Sequence, residues 1–329
     1  MKLGIDLFSL RFNDWDPFQH LEYARRIGVD VVHFSELNPA RPLDTGYLAE
    51  LKQTADHLGL QIEVGMRSIC PTSTSFDPSA GSAAEQLARM IEIAAQVGSP
   101  AVRCFLGSNA DRRTALPLAG HIAATVETCR AVRHLALDHG VKIAIENHAG
   151  DMQGRELAAL IEQAGPDYVG ACIDAGNPLW VAESPFTTLE HLAPYVVMSH
   201  VRDTAVSPHP SGAMAQWVAM GDGSVDIAAW SHRYRELCPN TNFTLEIITT
   251  LPPKVLNYLD PDFWSVYPDT PAHEFARFLA LVHTGRPYTE PVLTANWGDL
   301  TPELRAALAL EQQRQLEKSV RYCREELGI

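Results

Sequence analysis

The chain has 329 residues, 46% of them hydrophobic and 20% charged, and a formal net charge of −14. Its length suits one large domain or two ordinary ones, including an α/β barrel of roughly 250 residues with an extension, and no run of about 18 apolar residues marks a membrane span. The acidic balance would repel a polyanion, since nucleic-acid affinity rests on Lys and Arg neutralising phosphates, so DNA, RNA and anionic membrane surfaces are disfavoured partners.

Met1 leads straight into the strand-like LGIDLFSL, with no secretory leader pattern, so a cytoplasmic location is expected. Eight short apolar runs then follow in chain order: LGIDLF (3–8), VDVVHF (29–34), LQIEVGM (60–66), AVRCFL (101–106), KIAIEN (142–147), YVGACID (168–174), YVVMSHV (195–201) and FTLEII (243–248). Between them, segments such as FQHLEYARRIG, LAELKQTADHLG and AAEQLARMIEIAAQVG pair apolar residues three and four apart and stop at a glycine, the pattern of amphipathic helices. Strands alternating with helices demand parallel pairing, because only a helical crossover returns the chain to the same end of the sheet. Eight such units predict a closed (β/α)8 TIM barrel over residues 1–250. The open doubly wound sheet is the weaker fit, because SLRFND stands where its glycine fingerprint would follow the first strand. Six cysteines show no CxxC pair or metal-finger spacing and read as reduced, packed thiols.

After residue 250 the pattern changes to a proline-punctuated segment with one helix. A long final helix follows, starting at Thr301 as cap and Pro302 in its first turn. Residues 251–329 therefore read as a C-terminal helical extension, whose last helix either packs back on the barrel or reaches a second subunit to make a homo-oligomer.

In a barrel of this kind the active site lies at the carboxyl ends of the strands, so polar residues that close apolar strands are the ones to collect. They are Glu146, Asp174, His200 and Glu246, on strands five to eight. Singly, each has an ordinary explanation as a helix cap, an edge group or a satisfied core histidine. Together they need a counter-charge, because three buried carboxylates near one another would otherwise be very costly. A divalent cation supplies it. An oxygen-rich set with one nitrogen suits Mn²⁺ first, with Mg²⁺, Co²⁺ and Zn²⁺ as alternatives.

The segments IENHAGD, CIDAGNPLW, SHVRDT, GDGSVD and TLEII resemble those of the xylose-isomerase-like TIM-barrel superfamily, the sugar isomerase and epimerase group that also contains endonuclease IV. The resemblance runs in strand order over residues 1 to about 250. It implies that Glu146, Asp174, His200 and Glu246 are metal ligands, and that Glu146 and Glu246 act as acid and base on opposite faces of an enediolate. One departure is Asn177, where ketose 3-epimerases carry a histidine. Asparagine can hydrogen-bond a hydroxyl but cannot titrate near neutral pH, which argues against a simple free ketose.

Arg67, Arg103 and Arg202 fall near the barrel mouth and suggest a carboxylate or phosphate on the substrate, since planar guanidinium groups clamp such anions. His148 and Asn177 are further candidate substrate contacts, Asn147 a loop anchor, and His33 and Glu36 supporting or surface residues. Phe8, Trp15, Phe105 and Trp180 are aromatic candidates for packing on a sugar face, with core packing the commoner role. The GDG at 221–223 reads as a turn in the loop after strand seven. The expected activity is a metal-dependent sugar isomerase or epimerase acting on an anionic small-molecule carbohydrate through an enediolate. The alternative is a lyase on the same scaffold, either a decarboxylase of a 3-oxo sugar acid or a dehydratase. A non-catalytic sugar-binding protein and a DNA-repair nuclease fit less well, the latter because it would need more histidine ligands and a basic groove.

Overall fold

Residues 1–37, 44–296, 298 and 300–329 are described by the structure, a computed structural model. Seven parallel strands follow one another in chain order: β1 (Leu3–Asp6), β2 (Val31–Phe34), β3 (Gln61–Ser68), β4 (Ala101–Phe105), β5 (Lys142–Glu146), β6 (Val169–Asp174) and β7 (Val196–His200). A hairpin of β8 (Asp203–His209) and β9 (Gly212–Val218) intervenes before the eighth barrel strand, β10 (Phe243–Leu245), which pairs with β1. Closure between β7 and β10 is brief. It rests on the Val201–Leu245 bridge, in which Val201 donates to the Thr244 carbonyl at 2.8 Å and Glu246 donates to the Val201 carbonyl at 3.0 Å. The molecule is thus a (β/α)8 TIM barrel.

Helices α1 (Pro17–Ile27), α2 (Thr45–Leu58), α3 (Ala83–Val97), α4 (Leu118–Ala131), α5 (Arg133–His139), α6 (Gly154–Ala164), α7 (Pro185–Leu192) and α8 (Ile227–Leu237) connect successive barrel strands. The local causes are visible in α3. Ser82 caps it and Glu85 bonds back, Leu87, Ile91 and Ala94 bury one face, and Gly98 ends it at φ +76°, a backbone angle that a side chain resists. Strands β1, β2, β4 and β6 are buried throughout, as a sheet covered by helices requires.

Beyond β10 lie β11 (Lys254–Leu256), the short α9 (Pro261–Trp264), α10 (Ala272–Thr284) and α11 (Pro302–Glu325). Strand β11 joins the hairpin in a second, antiparallel sheet of order β11-β9-β8. Its inner face meets α10 in a small separate core of Val206, Ala213, Ala215, Leu256, Phe278 and Val282. This hairpin alters one expectation. The GDG at 221–223 does not simply follow strand seven but follows β9, where the Gly221 and Gly223 amides donate to the Asp203 carboxylate at 3.0 and 2.9 Å.

The last helix packs on the barrel. Leu316, Val320 and Cys323 belong to the main core, Gln312 accepts a hydrogen bond from the Phe12 amide at 3.0 Å, and Ser319 accepts one from Met220 at 3.1 Å. Arg324 pairs with Asp30 just beyond α1, and Arg235 of α8 donates to the Leu327 carbonyl. Lying between α1 and α8 and following β10, α11 occupies the slot of the eighth wall helix. No described helix is long and apolar enough to cross a membrane. Replacing the fully buried Leu316 by Ala is expected to lower unfolding stability by about 2–5 kcal/mol in urea titrations; an unchanged midpoint would mean that α11 is not part of the cooperative barrel unit.

Candidate metal and substrate site

Parallel pairing sets the ends of neighbouring strands at one height, with Glu146 level with Cys172 and Asp174 level with His200. Glu146, Asp174 and His200 are fully buried and Glu246 is 4% exposed. Each offers a ligand atom, and these four atoms lie within 4.8 Å of one another. The structure therefore brings the four predicted ligands together.

Fixed partners aim each group. Asp174 Oδ1 accepts from the Gly176 and Asn177 amides at 2.7 and 2.6 Å, leaving Oδ2 to face Arg202. Gly176 is required for that approach, since a Cβ there would stand 2.5 Å from Arg202 Cγ. Asn147, the expected loop anchor, donates from Nδ2 to the Asp174 carbonyl at 3.0 Å and accepts from the Asp174 amide at Oδ1 at 2.8 Å, tying the ends of β5 and β6 together. Asn177 donates to Glu146 Oε1 at 3.1 Å.

His200 is held from behind. Its Nε2 is 2.8 Å from His33 Nδ1, which lies 2.9 Å from Asp6 Oδ2. Burial pushes the Asp6 carboxyl up, but His33, His200 and Ser35 outweigh it and bring it to about 2. Anchoring the far nitrogen of an imidazole in this way is how proteins orient a metal-binding histidine. His200 Nδ1 points inward, 3.3 Å from Glu146 Oε2 and 3.7 Å from Glu246 Oε2, and is buried without a hydrogen bond.

Two guanidinium groups stand among the carboxylates. Arg103 bonds Glu146 through Nε at 2.5 Å, and Arg202 Nη2 contacts both Asp174 and Glu246. Burial raises Glu146, but Arg103 and His200 more than offset it and hold the carboxyl well below its ordinary value. Asp174 is raised by burial despite Arg202. The donor set fits a divalent ion: three carboxylates converge, an unbonded imidazole nitrogen faces them, and a cationic group already bridges two of them.

Above this floor a cavity of about 760 Å³ is lined by Phe8, Phe105, His148, Asn177, Trp217 and six cations, Arg11, Arg67, Arg103, Arg202, Lys254 and Arg305. In a chain of net charge −14, that concentration of cations is local. Arg202 keeps Nε and Nη1 buried without hydrogen bonds, while its guanidinium carbon lies 4.5 Å from the centre of the Trp217 ring. Arg67 lies within β3, exposed at the rim and 3.9 Å from Glu36, which also lines the cavity. The His148 ring stacks on Phe105 at 3.9 Å and its Nδ1 is 2.7 Å from the Gly107 carbonyl, so Nδ1 carries the proton; burial lowers its pKa to about 4, leaving it neutral near pH 7. Trp15 packs against His20 and Tyr23, and Trp180 lines a smaller neighbouring cavity.

Sequence reasoning missed Asp6, Arg11, Trp217, Lys254 and Arg305. Asp6 closes β1 in the structure as Glu146 closes β5, but the sequence runs straight on into the apolar LFSL and conceals that strand end. The other four sit outside the barrel strands, where no periodic signal marks them.

The family described as xylose isomerase-like TIM barrel matches residues 21–259. A curated relative, 3-oxo-isoapionate decarboxylase of Pectobacterium atrosepticum, is 23% identical over 231 residues, covering 69% of this chain and 75% of that protein. Among solved structures, D-psicose 3-epimerase of Clostridium cellulolyticum H10, crystallised with D-tagatose, superposes with a TM-score of 0.60 at 16% identity over 84% of this chain and 95% of its own. The IOLI protein with a bound zinc atom gives 0.59 at 16% identity over 85% and 96%. The structural likenesses establish the fold alone.

Asn147→Ala removes both bonds to the Asp174 backbone. We expect unfolding stability to drop by about 1–3 kcal/mol and divalent-ion affinity to fall with it. Calorimetric titration and thermal melting check this, and wild-type values in both would show that Asn147 does not position Asp174.

Proposed function

The chain belongs to the xylose isomerase-like TIM-barrel family, and from that premise we propose that it is a divalent-metal-dependent enzyme that isomerises or epimerises an anionic hydroxylated oxo compound, a sugar acid or sugar phosphate. The observation that carries this reading is the convergence of Glu146, Asp174, His200 and Glu246 beneath a cavity rich in cations.

In this reading those four residues hold the ion, which when bound supplies a Lewis acid that stabilises negative charge developing on a substrate oxygen. Mn²⁺ is the proposed ion, with Mg²⁺, Co²⁺ and Zn²⁺ suited to the same donors. Moving a proton at the carbon beside a carbonyl needs a carboxylate within hydrogen-bond reach. Glu146 and Glu246 are that pair, one from each side of the ligand cluster. Arg103 keeps Glu146 ionised and so competent as a base. Asn177 holds Glu146 Oε1, while Arg103 holds Oε2, which also faces His200. The Arg202 guanidinium lines the cavity and suits a substrate carboxylate or phosphate.

A second reading, decarboxylation of a 3-oxo sugar acid, is favoured by the name of the curated relative and by Asn177. It would use the same charge stabilisation but cleave a C–C bond instead of a C–H bond, with the arginines gripping the carboxylate that departs.

NMR of Mn²⁺-loaded protein with oxo sugar acids and sugar phosphates in deuterated water separates the two. Deuterium entering at carbon together with an isomerised or epimerised product supports the first, and carbon dioxide release supports the second. Glu146→Gln and Glu246→Gln are each expected to slow proton exchange by about 10²–10⁴-fold. Full exchange in both variants would contradict the two-carboxylate mechanism.

A further inference from the structure

The main cavity has a neighbour on the side of the antiparallel sheet. A second compartment of about 380 Å³ adjoins it and shares Ala149, Trp217 and Lys254 as common walls. Trp217 comes from β9, Lys254 from β11, and Trp180 from the turn after β6, so the added antiparallel sheet builds the partition. Ligand pockets of about 300–1,000 Å³ enclose a drug-sized molecule, and each compartment reaches that range by itself. One sugar acid would leave the outer one unfilled.

The two compartments also differ in charge. The inner one sets six cations against the carboxylates of Glu36 and Glu246, an excess of positive charge. The outer one sets Lys254 and Arg113 against Asp260 and Asp262, with Arg113 and Asp262 paired at 2.8 Å, so its ionic groups balance. Its remaining polar lining, Ser108, Asn109 and Asn257, is neutral. The half-buried Trp180 and Trp217 rings meet at 5.4 Å and 77°, forming an aromatic corner beside those groups. Lys254 Nζ stands 5.7 Å from the centre of the Trp180 ring and Arg202 packs on Trp217, while the neutral Ser108, Asn109 and Asn257 beside the corner suit an uncharged ring, either a second sugar or an aryl group.

We infer that the substrate is a glycoside-like compound of two parts: an anionic oxo-sugar head in the inner compartment and an uncharged ring in the outer compartment against Trp180 and Trp217. This rests on the proposed function for the identity of the head but not for the presence of the outer subsite.

Calorimetry on the Mn²⁺-loaded protein tests it, using matched methyl, phenyl and glucosyl glycosides of glucuronic and galacturonic acid. Phenyl or glucosyl derivatives are expected to bind about tenfold or more tightly than the methyl compound, and which of them gains identifies the ring. Trp180→Ala, which truncates the corner, and Asn257→Phe, which fills it, should both erase that gain and leave methyl-glycoside affinity within about twofold, with melting temperatures confirming folded protein. Equal affinity across each series, or a gain that survives both variants, would overturn the outer subsite while leaving the metal chemistry standing. Failure of every glycoside to bind would overturn the inference together with the anionic-sugar reading beneath it.

Discussion

The arrangement depends on charge compensation at the carboxyl end of the barrel. Glu146, Asp174 and Glu246 converge with His200 in a place that water scarcely reaches, and carboxylates so close cannot all ionise without positive charge among them. Arg103 and Arg202 supply part of it by direct contact. The inward Nδ1 of His200 joins the cluster, 3.3 Å from Glu146 Oε2 and 3.7 Å from Glu246 Oε2. A nitrogen and three carboxylates so placed are a donor set that suits a divalent ion. In the proposed reading, the Asp6–His33 pair behind His200 and the Asn147 bridge beneath Asp174 are fixtures that hold the ligands in place before an ion arrives.

Around this floor the chain adds material that the eight-stranded frame does not require. The β8–β9 hairpin and β11 form a side sheet with its own core, and this sheet carries Trp217 and Lys254 to the cavity wall. The C-terminal α11 completes the helical ring and brings Arg305 from its first turn to the same cavity. In the proposed function the barrel supplies the chemistry, while the additions shape what enters. Such a division is usual for this fold, whose sites vary through the segments at the carboxyl ends of the strands.

Much of this was legible because its causes are periodic. A polar residue closing one apolar strand is ordinary, but four on successive strands, Glu146, Asp174, His200 and Glu246, have few joint explanations. Asp6 also closes a strand, though that short strand runs directly into the apolar LFSL and hides the boundary. The hairpin was harder to read. Its strands flank PHPSG, a turn signal, but DTAVS and AMAQWV mix small and polar residues because they cover a small core and a cavity instead of a barrel wall. The place of α11 was open for a related reason: its buried face includes Gln312, Gln315 and Ser319, whose polarity resembles that of a surface helix until their partners are known. Cavity residues such as Arg11 and Lys254 depend on contacts between distant segments, which no local pattern encodes.

The proposed chemistry requires that the four converging side chains bind one divalent ion. Isothermal titration of the purified, chelator-stripped protein with Mn²⁺ measures this most directly. One ion per chain, with binding lost in His200→Ala and in Asp174→Asn variants that still fold, is the result predicted. Absence of saturable binding, or binding that both variants retain, would contradict it.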